Sequence, residues 1–161
     1  MSWNRYRRRH EVIHSVLRGV ARSGRISAVE ETDIRSEFGD LAGFLLALHQ
    51  RWYTAFGARV DAVLESYGQS GPGGLQDLRS AVVAAWDGLA AERPELRALL
   101  DAHADHPALA EPVAAQASML RWATGLDLAD VSGSRRRDTV YAGQAARAGH
   151  AAHAAVPEPV G

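Results

Sequence analysis

Hydrophobic residues recur every three or four positions along most of the chain, and each run of this kind predicts a helix. The first helix is predicted over residues 3–22. Ser27 and Glu30 follow with the spacing of a capping box, which predicts a short second helix. The longest pattern occupies residues 41–67 and predicts a helix of about 40 Å, long enough to be the central element of a helical bundle.

Glycine and proline divide the rest of the chain into shorter helices. The glycine-rich run at 68–74 predicts a loop, after which helices are predicted to begin near Leu75, at Pro94 and near Pro107. Gly125 is expected to end the last of them. In this sixth helix the residues predicted to face inward are Val113, Met119, Leu120 and Ala123.

From about residue 130 the apolar pattern stops, and Ser, Gly, Arg, Ala and Pro dominate. Such a segment buries too little apolar surface to order itself, so we expect a disordered tail. The sequence therefore predicts an all-α protein: a single bundle of about six helices at 1–129 and a tail at 130–161. No stretch reaches the roughly 20 apolar residues that span a bilayer, and we expect a soluble protein without a membrane partner.

The amino-acid composition excludes several kinds of chemistry and indicates none in particular. The formal net charge is −1, so no overall field favours nucleic acid or an anionic membrane. The absence of cysteine excludes disulfides, thiolate ligands and cysteine nucleophiles, and favours the cytoplasm. All 18 basic residues are arginine and none is lysine, a bias that we attribute to a GC-rich, bacterial genome. No phosphate-binding loop or nucleophile elbow is present, and we expect no cofactor.

Two histidine clusters are candidate metal sites. His10, Glu11 and His14 lie within one helix, where Glu11 and His14 have the spacing found in di-iron bundles. His103 and His106 end the fifth helix beside acidic residues. The alternative interpretation is a polar helix face for the first cluster and helix-end interactions for the second.

Arginines near the N-terminus form a candidate nucleic-acid contact. Arg5, Arg7, Arg8 and Arg9 lie beside the aromatic residues Trp3 and Tyr6, so phosphate contacts and base stacking are both available. The alternative interpretation is a solvated start of the first helix.

Aromatic residues suggest a pocket inside the bundle. Trp52, Trp86 and Trp122 fall on or near the inward faces of three different helices, with Phe56 one turn from Trp52. Together they are candidates to line a cavity for a small apolar ligand. The alternative is that the same rings simply fill the core.

The segment EFGDLAGFLLALHQRWYTAFGARVDAVLE, which contains Phe38, resembles the region of TetR-type transcriptional regulators where the DNA-binding domain joins the regulatory domain. The later LRSAVVAAWDGLAAERPELRALLDAHADHPAL is similar in layout to the helices that follow in that family. The resemblance covers residues 38–125 and implies a ligand pocket with a dimer interface. Only 13 residues separate Gly24 from Phe38, too few for the helix-turn-helix of that family.

These observations lead to one expectation for function and two alternatives. We expect a non-enzymatic, α-helical regulatory or protein-interaction module, homodimeric, with a small apolar ligand in a TetR-like core. The alternatives are a metal-binding helical protein or sensor, and a nucleic-acid binder that uses the N-terminal arginines.

Overall fold

The computed structural model describes residues 3–69 and 75–133, and this part of the chain is an all-α bundle without strands. The predicted fold class is therefore confirmed. Seven helices follow one another: α1 Trp3–Ser23, α2 Ala28–Phe38, α3 Leu41–Gln69, α4 Leu75–Glu92, α5 Pro94–Ala102, α6 Pro107–Thr124 and α7 Leu128–Ser132. None of these helices combines the length and apolarity needed to cross a membrane.

The short connection between α1 and α2 is set by local chemistry. Gly24 has a φ of 72°, a left-handed conformation that ends α1. Ser27 then caps α2, and the Glu30 carboxylate accepts a hydrogen bond from the Ser27 backbone N–H at 2.7 Å. The predicted capping box is confirmed. Glu30 is also buried against Gly19 of α1, so the same side chain begins α2 and packs it on α1.

The long helix α3 is the central element, as the sequence predicts. It packs against α2, α4, α5 and α6, and its buried face carries a continuous row of large apolar side chains. That row comprises Phe44, Leu45, Leu48, Trp52, Phe56 and Val60. Because these residues contact helices from both ends of the sequence, α3 joins the whole bundle around one core.

The inward face of α6 differs from the prediction. Leu120 is buried as expected, but Val113, Met119, Trp122 and Ala123 are exposed. The buried positions are instead Leu109, Gln116, Leu120 and Thr124. Two of these are polar, while alanines occupy much of the opposite face. The hydrophobic pattern of α6 therefore does not identify the face that the bundle buries.

The bundle also continues past the predicted boundary at residue 129. After Gly125, which ends α6 in the left-handed conformation, α7 packs on α4 and α6. Val131 of this helix is fully buried, and Asp130 forms an ion pair with Arg79 of α4 at 3.3 Å. A helix of five residues is too short to show a helical period, which explains the missed element. The predicted tail lies, from residue 134 onward, outside the described residues.

Candidate functional site

Three of the four residues predicted to line an apolar pocket pack against one another. The rings of Trp52 and Trp86 meet edge to face with centroids 4.9 Å apart, and those of Phe56 and Trp86 do so at 5.0 Å. This geometry is favoured by aromatic quadrupoles. All three side chains are buried, so the rings themselves fill the centre of the bundle.

Trp122 does not belong to this cluster. Its side chain is 85% exposed on the outer surface of α6, because the helix turns Leu120 and Thr124 inward instead. A pocket lined jointly by three tryptophans is therefore not formed. The sequence pattern located two of them correctly and misplaced the third.

Arg97 of α5 covers the paired tryptophans. Its guanidinium carbon lies 4.9 Å from the Trp52 ring centroid and 5.3 Å from that of Trp86, which are cation–π distances. Asp101 holds the guanidinium with two hydrogen bonds of 3.1 and 2.6 Å. The charge of Arg97 is thus neutralised where it meets the aromatic core.

A cleft of about 500 Å³ with buried polar groups adjoins Trp86. His49 hydrogen-bonds the carbonyl of Pro112, yet burial is the largest influence and lowers its pKa, with Arg97 adding to the effect. The ring is therefore neutral near pH 7. Gln116 is 4% exposed, and its Nε2 has no hydrogen-bond partner among the described residues. These groups give this cleft a polar lining.

A cavity of about 810 Å³ lies elsewhere, between the end of α1, α2, the start of α3 and α5. Its floor is apolar and consists of Val20, Ala21, Ile26, Ile34, Leu41, Ala98 and Leu99. Its rim carries charged side chains of both signs: Arg25, Glu31, Arg35, Asp40 and Glu95. This combination of apolar floor and sparse polar groups is typical of small-molecule sites.

Two glycine turns create this cavity. Gly24 and Gly39 both have positive φ, 72° and 87°, and they flank α2 on either side. They fold α2 back across α1 and α3, so that it contacts both helices and forms one wall of the cavity. No pattern in the sequence pointed to this cavity, because its lining residues come from four different helices.

The first candidate metal cluster is only partly assembled. The rings of His10 and His14 lie 4.4 Å apart, but Glu11 turns away and forms an ion pair with Arg7 at 3.7 Å. Arg51 of α3 places Nη2 3.0 Å from His10 Nε2. A guanidinium at the ring nitrogen occupies the position that a cation would need.

The second candidate cluster is used for backbone hydrogen bonds. His103 Nδ1 lies 2.9 Å from the carbonyl oxygen of Leu99, and His106 Nδ1 accepts a hydrogen bond from the Ala108 N–H as the N-cap of α6. In residues 3–69 and 75–133 no group of three or more His, Asp or Glu side chains is arranged to hold a metal ion.

The N-terminal arginines divide between solvent and α2. Arg8 forms an ion pair with Glu37 at 3.5 Å, and Arg9 donates to the Glu37 carbonyl at 3.0 Å. Arg9 also lies over the Phe38 ring at 4.7 Å. Arg7 pairs with Glu11, and Arg5 is exposed. The structure therefore assigns a packing role to Arg9 and does not gather the four residues into one patch.

No protein-family model, curated protein or solved structure matches this chain. The resemblance to TetR-type regulators stays a prediction.

Proposed function

We propose that this chain is a non-enzymatic regulatory module that binds an amphipathic small molecule in the cavity between α1, α2, α3 and α5. The observation that carries the proposal is the cavity of about 810 Å³ with an apolar floor and a charged rim. Ligand pockets of proteins generally measure about 300–1,000 Å³ and combine these two features. The apolar part of the ligand contacts Ile34 and Leu99, and its polar part meets the charged rim.

The position of α2 supports a regulatory role. This helix forms a cavity wall, and its outer residues are exposed. Because Gly24 and Gly39 bound it at both ends, α2 is attached to the bundle by flexible positions. A ligand that contacts both α2 and α5 stabilises one position of α2 relative to others. A partner protein that binds the exposed side of α2 then binds with an affinity that depends on this position.

Binding of Nile red, a neutral apolar dye, tests the proposal. We expect the dye to bind the unaltered chain at one saturable site. The increase in dye fluorescence measures this binding. Ala98→Trp fills the cavity from α5 and should raise the Kd for the dye at least about tenfold. This corresponds to a loss of about 1.4 kcal/mol in binding free energy. Ala98 is exposed, so the fold should tolerate the change.

Ala114→Trp is the matched control, because Ala114 is an exposed alanine of α6 outside the cavity. It should bind Nile red as tightly as the unaltered chain. Equal binding by Ala98→Trp, or the absence of saturable binding to the unaltered chain, would refute the proposed site.

We further propose that the module is a homodimer and that α6 forms the contact. Ala108, Pro112, Ala115, Met119 and Trp122 recur at spacings of four and three, the interval of helix-pairing seams. Met119 is 53% exposed, and Trp122 more so. Small residues occupy one end of this stripe and large ones the other, so an antiparallel second copy places each large side chain against a small one.

A further inference from the structure

A row of basic side chains runs along α1 on the side that faces α3 and α5. His10, His14, Arg18 and Arg22 are each four residues apart, so they form one ridge of the helix. Arg51 of α3 approaches this ridge at His10. His14, Arg18, Arg22, Arg51 and Arg93 all line one cleft of about 570 Å³.

Acidic side chains do not balance this cleft. Its four arginines are accompanied by two glutamates, and one of these, Glu92, is bonded to Arg59 at 2.5 Å. None of the ion pairs within residues 3–69 and 75–133 includes Arg18, Arg22, Arg51 or Arg93. The cleft therefore holds an excess of positive charge.

Burial and this excess of positive charge together lower the pKa values of two groups in the cleft. Burial lowers the pKa of Arg51, and the charge of Arg93 lowers it further. Burial also lowers the pKa of His14, with His10, Arg51 and Arg18 as further causes. Like charges held together in this way lower the stability of the free protein, and an anion placed among them relieves the repulsion.

We propose that this cleft binds a small molecule that carries a multiply charged phosphate group. One guanidinium group can donate two parallel hydrogen bonds to two oxygens of a phosphate. Four arginines therefore supply more donors than a single carboxylate requires. The first turn of α5 opens beside the cleft at Arg93 and has no side-chain cap, so its backbone N–H groups add to the positive potential. This site is separate from the cavity of the proposed function, which it adjoins at Ala21 and Glu95.

The shape of the cleft favours a small molecule over a nucleic acid. Arg51 is partly buried between three helices, where a terminal phosphate reaches it more readily than the phosphodiester of a duplex. Leu17 and Leu96 provide apolar walls for the remainder of the ligand. The volume of about 570 Å³ lies in the range of small-molecule sites.

Inorganic pyrophosphate is the probe for the test, used in calorimetry and thermal unfolding at low salt. We expect Tm to rise by about 5 °C or more at one hundred times Kd. The double variant Arg18→Gln, Arg22→Gln should weaken binding at least about tenfold. The matched control Arg5→Gln, Arg7→Gln removes the same charge from exposed positions of the same helix and should bind like the unaltered chain.

A second measurement separates binding from a structural role. Without pyrophosphate, Arg18→Gln, Arg22→Gln should keep or raise Tm, because two like charges at i and i+4 are removed. A fall in Tm would contradict the inferred repulsion. Ala98→Trp should retain pyrophosphate binding, so failure of the apolar cavity and failure of this site are distinguishable.

Four results would overturn the inference. They are no binding of pyrophosphate, an equal loss in both double variants, equal affinity for sulfate, and displacement of pyrophosphate by a 20-base-pair DNA at similar concentration. The second and third would indicate general attraction of anions, and the fourth would indicate a nucleic-acid surface.

Discussion

The two sides of the bundle differ in how completely their charged side chains are neutralised. Where α3 meets α4, aromatic rings interlock and the adjoining Arg97 is paired with Asp101. Where α1 meets α5, a cavity and a cleft are present, and four arginines line the cleft without ion pairs among the described residues. We therefore propose that stability and recognition are located in separate parts of the molecule.

The largest expected effect is on the aromatic side. Trp86→Ala removes the ring that contacts both Trp52 and Phe56, and it should lower the free energy of unfolding by about 3–5 kcal/mol. Urea unfolding followed by far-UV circular dichroism measures this loss. Trp3→Ala, at an exposed position of α1, should change it by less than about 0.5 kcal/mol. Similar losses in both variants would show that the aromatic cluster is not the main source of stability.

A smaller effect is expected where α1 packs on α2. A Cβ at Gly19 would lie 1.6 Å from Glu30 Oε1, so Gly19→Ala displaces the carboxylate that completes the capping box of α2. We expect a loss of about 1 kcal/mol, because the lost cap exceeds the gain in helix propensity.

Gly57→Ala is a control for which we expect a change in stability of the opposite sign. A Cβ at this helical position meets no atom within 4 Å, and the variant should be more stable by about 0.5–1 kcal/mol. An equal change in the free energy of unfolding for Gly19→Ala and Gly57→Ala would mean that the Glu30 carboxylate can be displaced without loss of stability.

The smallest effect on folding is expected at Trp122, although the proposed dimer depends on it. Trp122→Glu should change the free energy of unfolding of the monomer by less than about 0.5 kcal/mol, because the side chain is 85% exposed. In sedimentation velocity the unaltered chain should be a dimer and Trp122→Glu a monomer. Val29→Glu, at another exposed apolar position, should remain dimeric. A monomeric unaltered chain would refute the dimer.

Local signals predicted most of the helix ends, because each acts over a few residues. Ser27 with Glu30, Pro94 and Gly125 determine where helices begin or end, and the structure confirms all of them. Burial on α6 was harder to predict, since Gln116 is buried while Met119 is exposed. There the packing of neighbouring helices, rather than hydrophobicity, determines the inward face.

The candidate sites were less predictable because their residues are distant in sequence. Arg51 and Arg93 come close to the α1 ridge only in the folded bundle, and no spacing in the chain reveals this. The ridge itself, from His10 to Arg22, was visible as a four-residue repeat. Its histidines were predicted as metal ligands, but in the structure Arg51 lies beside His10.

The attachment of α2 has a kinetic consequence. This helix is bounded by two left-handed glycines and joined to α1 by the Arg8 and Arg9 contacts with Glu37. Opening of the cavity wall breaks these contacts and the packing of Glu30, Ile34 and Phe38, while the cluster of Trp52, Phe56 and Trp86 stays intact. We therefore expect the amide hydrogens of α2 to exchange with solvent earlier than those of α3. For the proposed ligand we expect the residence time to depend on the opening rate of this eleven-residue helix rather than on unfolding of the bundle.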